Sequence, residues 1–381
     1  MPAKTSERAA VVPVTAVYGA NASGKSSLLD GLRFMRRAVV ESFQQWDAEG
    51  SVPRFPFRLA PGSREQPSVF AVEIVVDGVP YDYGFRLDDE RILEEWLYSY
   101  PEKRPRLLFE RTEDRLRFGS TVSGELKSRL TLLGELTRPN SLFLSTCAQV
   151  QMAELMPVYR WFRFQLKMRM SATYSTRRAV DYVVNLRARK PQLLERLVEL
   201  LRVADVGITG FAVEETEDPA RQVAEKRREL HFLHGQEDER FTLEEESAGT
   251  RSWLALLPIV LEALDDGHVV AVDEIDTSLH PLLTVQLVNL FRNPDVNQNG
   301  AQLIFTSHDS SLLGPLLGQR ALERDEIWFV EKQGDGASSL YPLSDFKPRE
   351  EHNNERRYLG GSYGAVPVLD PDDFAEAVRP R

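Results

Sequence analysis

Apolar positions recur along this chain on two different periods, and the changes from one to the other mark the predicted elements. Val14-Thr15-Ala16-Val17-Tyr18 is a short β-branched and aromatic run that predicts a strand. From Ser26 to about Phe43, Leu28, Leu29, Leu32, Phe34, Met35, Ala38 and Val39 recur at helical spacing, with Arg33, Arg36 and Arg37 between them. Residues 51–64, rich in Pro, Gly and Ser, read as a connection. Phe70 to Leu87 alternates and turns at Asp77-Gly78, and Arg91 to Tyr100 with Leu107 to Phe118 adds strands, which predicts an antiparallel sheet. From about 124 to 204 the pattern is helical, with Leu193, Leu194, Leu197, Leu200 and Leu201 on one face of Pro191 to Val203. A helix over about 249–264, an apolar strand Val269 to Val272, a helix over about 281–292, a strand Gln302 to Thr306 and a strand Glu326 to Val330 follow. Helices alternating with continuously apolar strands predict a parallel sheet covered on both faces. No heptad register persists, so no long coiled coil is expected.

Composition narrows the function classes. With 381 residues and 42% hydrophobic content the chain has material for one large domain or two ordinary ones. The balance of 47 Lys+Arg against 58 Asp+Glu gives a net charge of −11, which excludes a blanket DNA-coating role but leaves room for a local basic groove. Cys147 is the only cysteine, so neither a disulfide framework nor a Cys-based zinc site is expected. No apolar run approaches the ~20 residues of a membrane-spanning helix, and residues 1–12 lack a secretory stretch; a cytoplasmic location with no membrane contact is the expectation. Charge is uneven in the middle. Residues 158–190 carry nine basic side chains against Asp181, with Tyr159, Trp161, Phe162 and Phe164 interleaved. This stretch is either a contact for a nucleic-acid backbone or acidic partner, or an amphipathic helix with a solvated basic face and its aromatics in the core. The polar segment 217–240 reads as a loop or linker.

The residues that carry chemistry lie at predicted strand ends. Gly19-Ala20-Asn21-Ala22-Ser23-Gly24-Lys25-Ser26 fits G-x-x-x-x-G-K-[ST] between a strand and a helix. In such a loop the backbone N–H groups, helped by Ser27 at the helix start, cradle phosphates; Lys25 supplies a point charge to the β/γ oxygens and Ser26 a hydroxyl to Mg²⁺. Val269 to Glu274 delivers two adjacent carboxylates at a strand's C-terminal end, Asp273 for the Mg²⁺ shell and Glu274 to polarise an attacking water. Alone, such a pair is as often a solvated turn. Ser247, in Glu246-Ser247-Ala248-Gly249-Thr250, opens a helix and forms a second potential anion site. Asp276 follows the carboxylate pair and His308 ends the next buried strand.

With these motifs in this order the chain resembles the ATP-binding-cassette (ABC) ATPases, in the soluble branch with SMC, RecF and OLD proteins. Asn140-Ser141-Leu142-Phe143-Leu144-Ser145, with the glycine loop, Glu246 to Thr250 and Asp273 to Pro281, looks most like RloA-type ATP-binding proteins of restriction and phage-defence loci. Tyr358 to Pro367 adds weaker support. The resemblance implies an α/β P-loop NTPase of ABC head type, with a mostly parallel core sheet, an antiparallel β subdomain and a helical insertion. The expected division is 1–123 with the phosphate loop, 124–240 as insertion, 241–335 with signature, carboxylates and switch histidine, and 336–381 as extension. By resemblance Ser247 and Gly249 match the signature, Asp276 the D-loop and His308 the switch histidine; Glu274, Lys25 and His308 are the catalytic set. ATP and Mg²⁺ are the implied cofactors. The implied partners are a second copy, with ATP sandwiched between the two, and a separate nuclease chain (Toprim-like), with DNA contacting 158–190. A RecF-like clamp or loader without a nuclease is the alternative, and a transporter subunit a more distant one. The signature here reads Glu-Ser-Ala-Gly-Thr where transporters have Leu-Ser-Gly-Gly-Gln. Thirteen residues precede Val14, where the family has a strand pair, so the expectation is an incomplete N-terminal sheet or a truncated start. Gln44, Gln45 and Gln66 are weak Q-loop candidates.

Overall fold

Strand β1 (Val14–Tyr18) is buried at four of its five positions, and the loop after it leads directly into α1 (Lys25–Gln45). The structure is a computed structural model and describes residues 11–113, 115–170, 182–184, 186, 189–204, 207–217, 226–316, 319–349, 352–367, 372 and 376–379. The chain divides into two units. One comprises Ser27–Leu166 with Met1–Val11 and Gln333–Ala337; the other comprises Val12–Ser26, Lys167–Lys332 and Ser338–Arg381. The phosphate loop therefore belongs with the carboxyl-terminal half of the chain, while the rest of α1 belongs with the segment that follows it.

The first unit is built on an antiparallel sheet of β2 (Ser68–Val76), β3 (Val79–Leu87), β4 (Ile92–Ser99), β5 (Arg106–Thr112) and β6 (Arg115–Arg117), in that order. Asp77 and Gly78, both at positive φ, make the two-residue turn between β2 and β3 that the sequence predicts. Alternation sends Tyr83, Phe85, Leu97 and Phe109 into the interior. Phe34 of α1 stacks on Phe70 at 4.8 Å, so the helix's apolar face covers the sheet. Then come α2 (Gly124–Leu136), capped by Ser123, then α3 (Phe143–Gln149) and α4 (Met156–Arg160), which runs into a π-helical turn over Trp161–Gln165.

The second unit holds a six-stranded sheet. Its inner strands are β1, β11 (Val269–Val272), β12 (Gln302–Thr306) and β15 (Ile327–Lys332); β7 (Leu166–Arg169) and β16 (Ser338–Pro342) form the edges, giving the order β16-β15-β1-β12-β11-β7. β1 pairs in parallel with β12 and β15, and β11 with β12; β16 is antiparallel. The fold is thus α/β with a parallel-dominated sheet beside antiparallel ones. A second sheet consists of β8 (Ile208–Glu217), β9 (Lys226–His234) and β10 (Glu239–Thr242), and a two-residue pair of β13 (Pro315–Leu316) and β14 (Gln319–Arg320) lies further on. The helices are α5 (Pro191–Ala204), α6 (Ala248–Asp266), α7 (Pro281–Arg292) and α8 (Asn354–Leu359). Leu193, Leu197 and Leu201 of α5 join Leu254, Leu257 and Leu261 of α6 in one core with Val270, Leu303 and Phe305. No helix among the described residues is long and apolar enough to cross a membrane.

Two segments differ from the sequence expectation. The expected helical insertion contains β7, a strand of four residues, too short to impose a period of its own. The segment expected as a linker, 217–240, contains β9 and the first two residues of β10. In Leu230-His231-Phe232 the apolar residues are buried two positions apart, a period-2 signal that the surrounding charges hide. Residues 218–225 of that segment lie outside the described ones.

Candidate nucleotide site

Because β1, β11 and β12 run in parallel, their C-terminal ends share one edge, and the loops that leave them bring the candidate residues together. Val17 is level with Thr306, and Val272 with Phe305, so Gly19, Asp273 and His308 each begin or end a turn at this edge. Gly19–Ser26, Asp273, Glu274, Asp276 and His308 all belong to the second unit.

The glycine loop is held from inside. Ser23 N donates to Ala20 O at 3.2 Å, Ala22 takes φ +60°, and Gly24 takes φ +107°, a conformation that favours a residue with no Cβ. The Ser338 hydroxyl on β16 donates to Ser23 O at 2.6 Å, tying the loop to the sheet edge. Asn21 and Ala22 at the tip are exposed, as are Ser26 and Ser27. Lys25 opens α1 and folds back across the loop, its Nζ donating to Gly19 O at 2.8 Å and Ala20 O at 3.1 Å. Burial pushes its pKa below the usual lysine value, while the carboxylates of Glu274, Asp276 and Asp273 pull it back up. A buried cation is therefore stationed at the free N–H groups of a helix start, where anions are favoured.

The carboxylates meet this loop directly. Ser26 Oγ donates to Asp273 Oδ1 at 3.1 Å across 247 residues of sequence, and Thr306 Oγ1 donates to the same oxygen at 2.7 Å. Asp273 Oδ2 takes no hydrogen bond among the described residues. A serine hydroxyl and a carboxylate are hard oxygen donors, the set that suits Mg²⁺ completed by phosphate and water oxygens. Glu274, partly exposed, has φ +52°, uncommon for a residue with a side chain. Thr306 holds it there: the Glu274 amide donates to Thr306 Oγ1 at 2.7 Å and the Ile275 amide to Thr306 O at 3.0 Å. Asp276 Oδ1 accepts from the His308 amide at 3.2 Å, so these two are neighbours; the imidazole is exposed. Thr306 and Ser338 carry no motif of their own, and only the placement of Thr306 two residues before His308 marks it in the sequence.

Ser247 caps α6, accepting from the Thr250 amide at 3.0 Å, and stays exposed. A Cβ on Gly249 would stand 3.0 Å from Ser278 O, so glycine lets the helix start lie against the turn after Asp276. Glu246 is buried and meets His234 Nε2 of β9 at 2.7 Å, which gives this acid a structural partner. The Asn140–Ser145 segment sits in the first unit and fastens the end of α1: Asn140 donates to Asp47 O and Gly50 O, and Ser145 Oγ accepts from the Phe43 amide. Gln44 bonds Gln149, and Gln66 offers its carbonyl to Arg54. In the basic stretch Lys167 and Lys190 lie within 3.9 Å of Glu262, while Arg160, Arg163 and Phe164 are exposed. Arg177, Arg178 and Arg187 lie outside the described residues.

Strand, glycine loop, helix, and a carboxylate pair at the end of a nearby parallel strand define a fold of the P-loop NTPase class. Residues 14–314 match the family described as "AAA domain, putative AbiEii toxin, Type IV TA system", and the chain belongs to that family. Among solved structures it is similar to an SMC head bound to the C-winged helix domain of ScpA, at 15% identity and TM-score 0.46, covering 88% of this chain and 92% of that one. An SMC head domain from Thermotoga maritima is also 15% identical, with TM-score 0.39 and coverage of 86% and 89%. A third, an Smc head with an extended coiled coil bound to the C-terminal domain of ScpA, derived from Pyrococcus furiosus, is 12% identical with TM-score 0.36, over 88% and 92%. No match was found among curated proteins.

Proposed function

We propose that this chain binds MgATP on the Gly19–Ser27 loop, hydrolyses it, and uses the nucleotide to join two copies. The observation that carries the reading is the bond between Ser26 and Asp273, beside buried Lys25 and within one unit. In this reading Lys25 exchanges its two loop carbonyls for phosphate oxygens, a trade that restores its charge-assisted bonds and adds an opposite charge. Bound Mg²⁺, held by Ser26 and Asp273, would neutralise phosphate charge. Glu274 orients the attacking water and takes its proton, and the His308 imidazole, anchored through its amide on Asp276, donates to the transferred phosphoryl group. Ser247 and Gly249 of one copy face the phosphates on the other; Ser247 is exposed and Gly249 partly so, at a helix start where an anion is favoured. Hydrolysis then removes the bridge and lets the copies part, a change that a partner can read.

The partner proposed from the resemblance is a separate nuclease chain in phage defence, and co-purification in the presence of ATP tests it. A RecF-like clamp acting on DNA without a nuclease is the second reading. Exposed Arg160, Arg163 and Phe164 favour it, because the Arg163 guanidinium lies 5.4 Å from the Phe164 ring, a cationic and aromatic pair that suits a nucleic-acid backbone. Its mark is duplex binding that weakens steeply with salt and is lost in Arg160→Glu/Arg163→Glu. The nucleotide reading itself is tested by calorimetric titration with a non-hydrolysable ATP analogue. Wild type binds with Mg²⁺ and Lys25→Ala does not; equal binding by both would remove the loop from the account.

A further inference from the structure

We infer that Thr306 is a positioning residue that sets both carboxylates of the site through one hydroxyl. A threonine hydroxyl has one proton and two acceptor lone pairs. The Glu274 amide can only donate to it, and an ionised Asp273 can only accept, so the hydroxyl's single proton is directed at Asp273 Oδ1. Both distances are 2.7 Å and the side chain is fully buried, so no water competes for either bond. The main chain of the same residue accepts from the Ile275 amide, which brackets Glu274 on both sides and keeps it at φ +52°.

Two consequences follow for the chemistry. With Oδ1 engaged by Thr306 and Ser26, Asp273 is fixed in rotation, and its Oδ2 would be the oxygen left to hold a divalent cation. Glu274, whose backbone would relax out of the left-handed region without its amide bond, keeps its carboxyl within 3.4 Å of the Thr277 hydroxyl. Thr306 itself touches neither substrate nor metal in this scheme. It transmits the position of the β12 end to the metal ligand and the base together. The inference rests on the MgATP reading above.

Thr306→Val removes the hydroxyl at nearly constant shape, and Thr306→Ser keeps it. A fluorescent ADP analogue is titrated into each protein with Mg²⁺ and again in EDTA, and exchange of the Glu274 amide proton is followed without nucleotide. In Thr306→Val the Mg²⁺-dependent gain in affinity is expected to drop by about tenfold and kcat by about 10–100-fold, while EDTA affinity stays within about twofold. Glu274 amide protection is lost in Val and retained in Ser, and Ser recovers the Mg²⁺ response. If Thr306→Val does not fold, Thr306→Ala against Thr306→Ser gives the same comparison. A Val or Ala variant with wild-type Mg²⁺ response and wild-type amide protection overturns the inference and leaves the ATPase reading intact. A wild type that binds no nucleotide under either condition overturns both.

Discussion

Both units bury polar side chains, yet they use them differently. In the first, Glu95 is fully buried and its oxygens accept from the Phe143 amide, the Leu144 amide and the Tyr83 hydroxyl. Arg54 spends its guanidinium on Asp89, Ser68 and the carbonyls of Gln66 and Arg64, and Arg111 spends its own on the carbonyls of Glu113, Ser141 and Arg138. These groups close helix starts and loops, and most of their bonds go to backbone, the rest to Tyr83, Asp89 and Ser68. In the second unit Lys25 rests on two loop carbonyls, Asp273 has one oxygen to spare, and Ser247 and His308 are exposed. A buried polar network with all its capacity used is structure, and one with capacity left at a sheet edge is a site.

The sharpest way to break this contrast is to neutralise Glu274. Glu274→Gln is expected to slow ATP hydrolysis by about 10²–10⁴-fold while leaving the dissociation constant for ATP within about threefold, measured by phosphate release and by titration. A variant that hydrolyses normally would move the base elsewhere. Next in size is the structural control. Glu95→Ala leaves two buried amides without an acceptor and is expected to cost about 3 kcal/mol in urea unfolding, with nucleotide affinity unchanged at temperatures where it stays folded. Loss of affinity in folded Glu95→Ala would mean that the first unit's network also serves the site. Ser247→Ala removes the α6 cap hydroxyl; a stability loss of about 1 kcal/mol is expected, together with weaker ATP-driven pairing of copies.

The smallest effect comes from pH. Burial lowers the Lys25 pKa in the free protein, so the ammonium loses its proton before an ordinary lysine does as pH rises. Bound phosphates favour the charged form, so binding takes up a proton in that window and affinity falls with rising pH below the usual lysine value of 10.5. Lys25→Arg, which keeps its charge, is expected to flatten the slope. An equally steep slope in Lys25→Arg would assign the titration to another group.

Much of the site was legible in the sequence because its elements carry strong local signals. The apolar run before Gly19, the glycines, and the Val-Val-Ala-Val strand before Asp273 each declare a strand end, and parallel pairing then brings those ends to one edge. The β2–β3 hairpin was equally plain from Asp77-Gly78. What stayed hidden depends on contacts across long separations. Thr306 reads as any strand residue until Asp273 and Glu274 are beside it. Asn140–Ser145 entered the sequence reading only as a segment of the resemblance, and its bonds to the end of α1 in the first unit became visible in the structure. β7 needs β11 for its pairing, and the β9 alternation is diluted in the sequence by the charged residues around Leu230 and Phe232.

The central claim is that ATP joins two copies of this chain. Sedimentation velocity of Glu274→Gln at saturating MgATP tests it directly, because this variant is expected to keep binding while losing hydrolysis. A shift from monomer to dimer is expected that ADP does not produce and that a bulky Ser247→Arg substitution abolishes. A Glu274→Gln protein that binds ATP and still sediments as a monomer would contradict it.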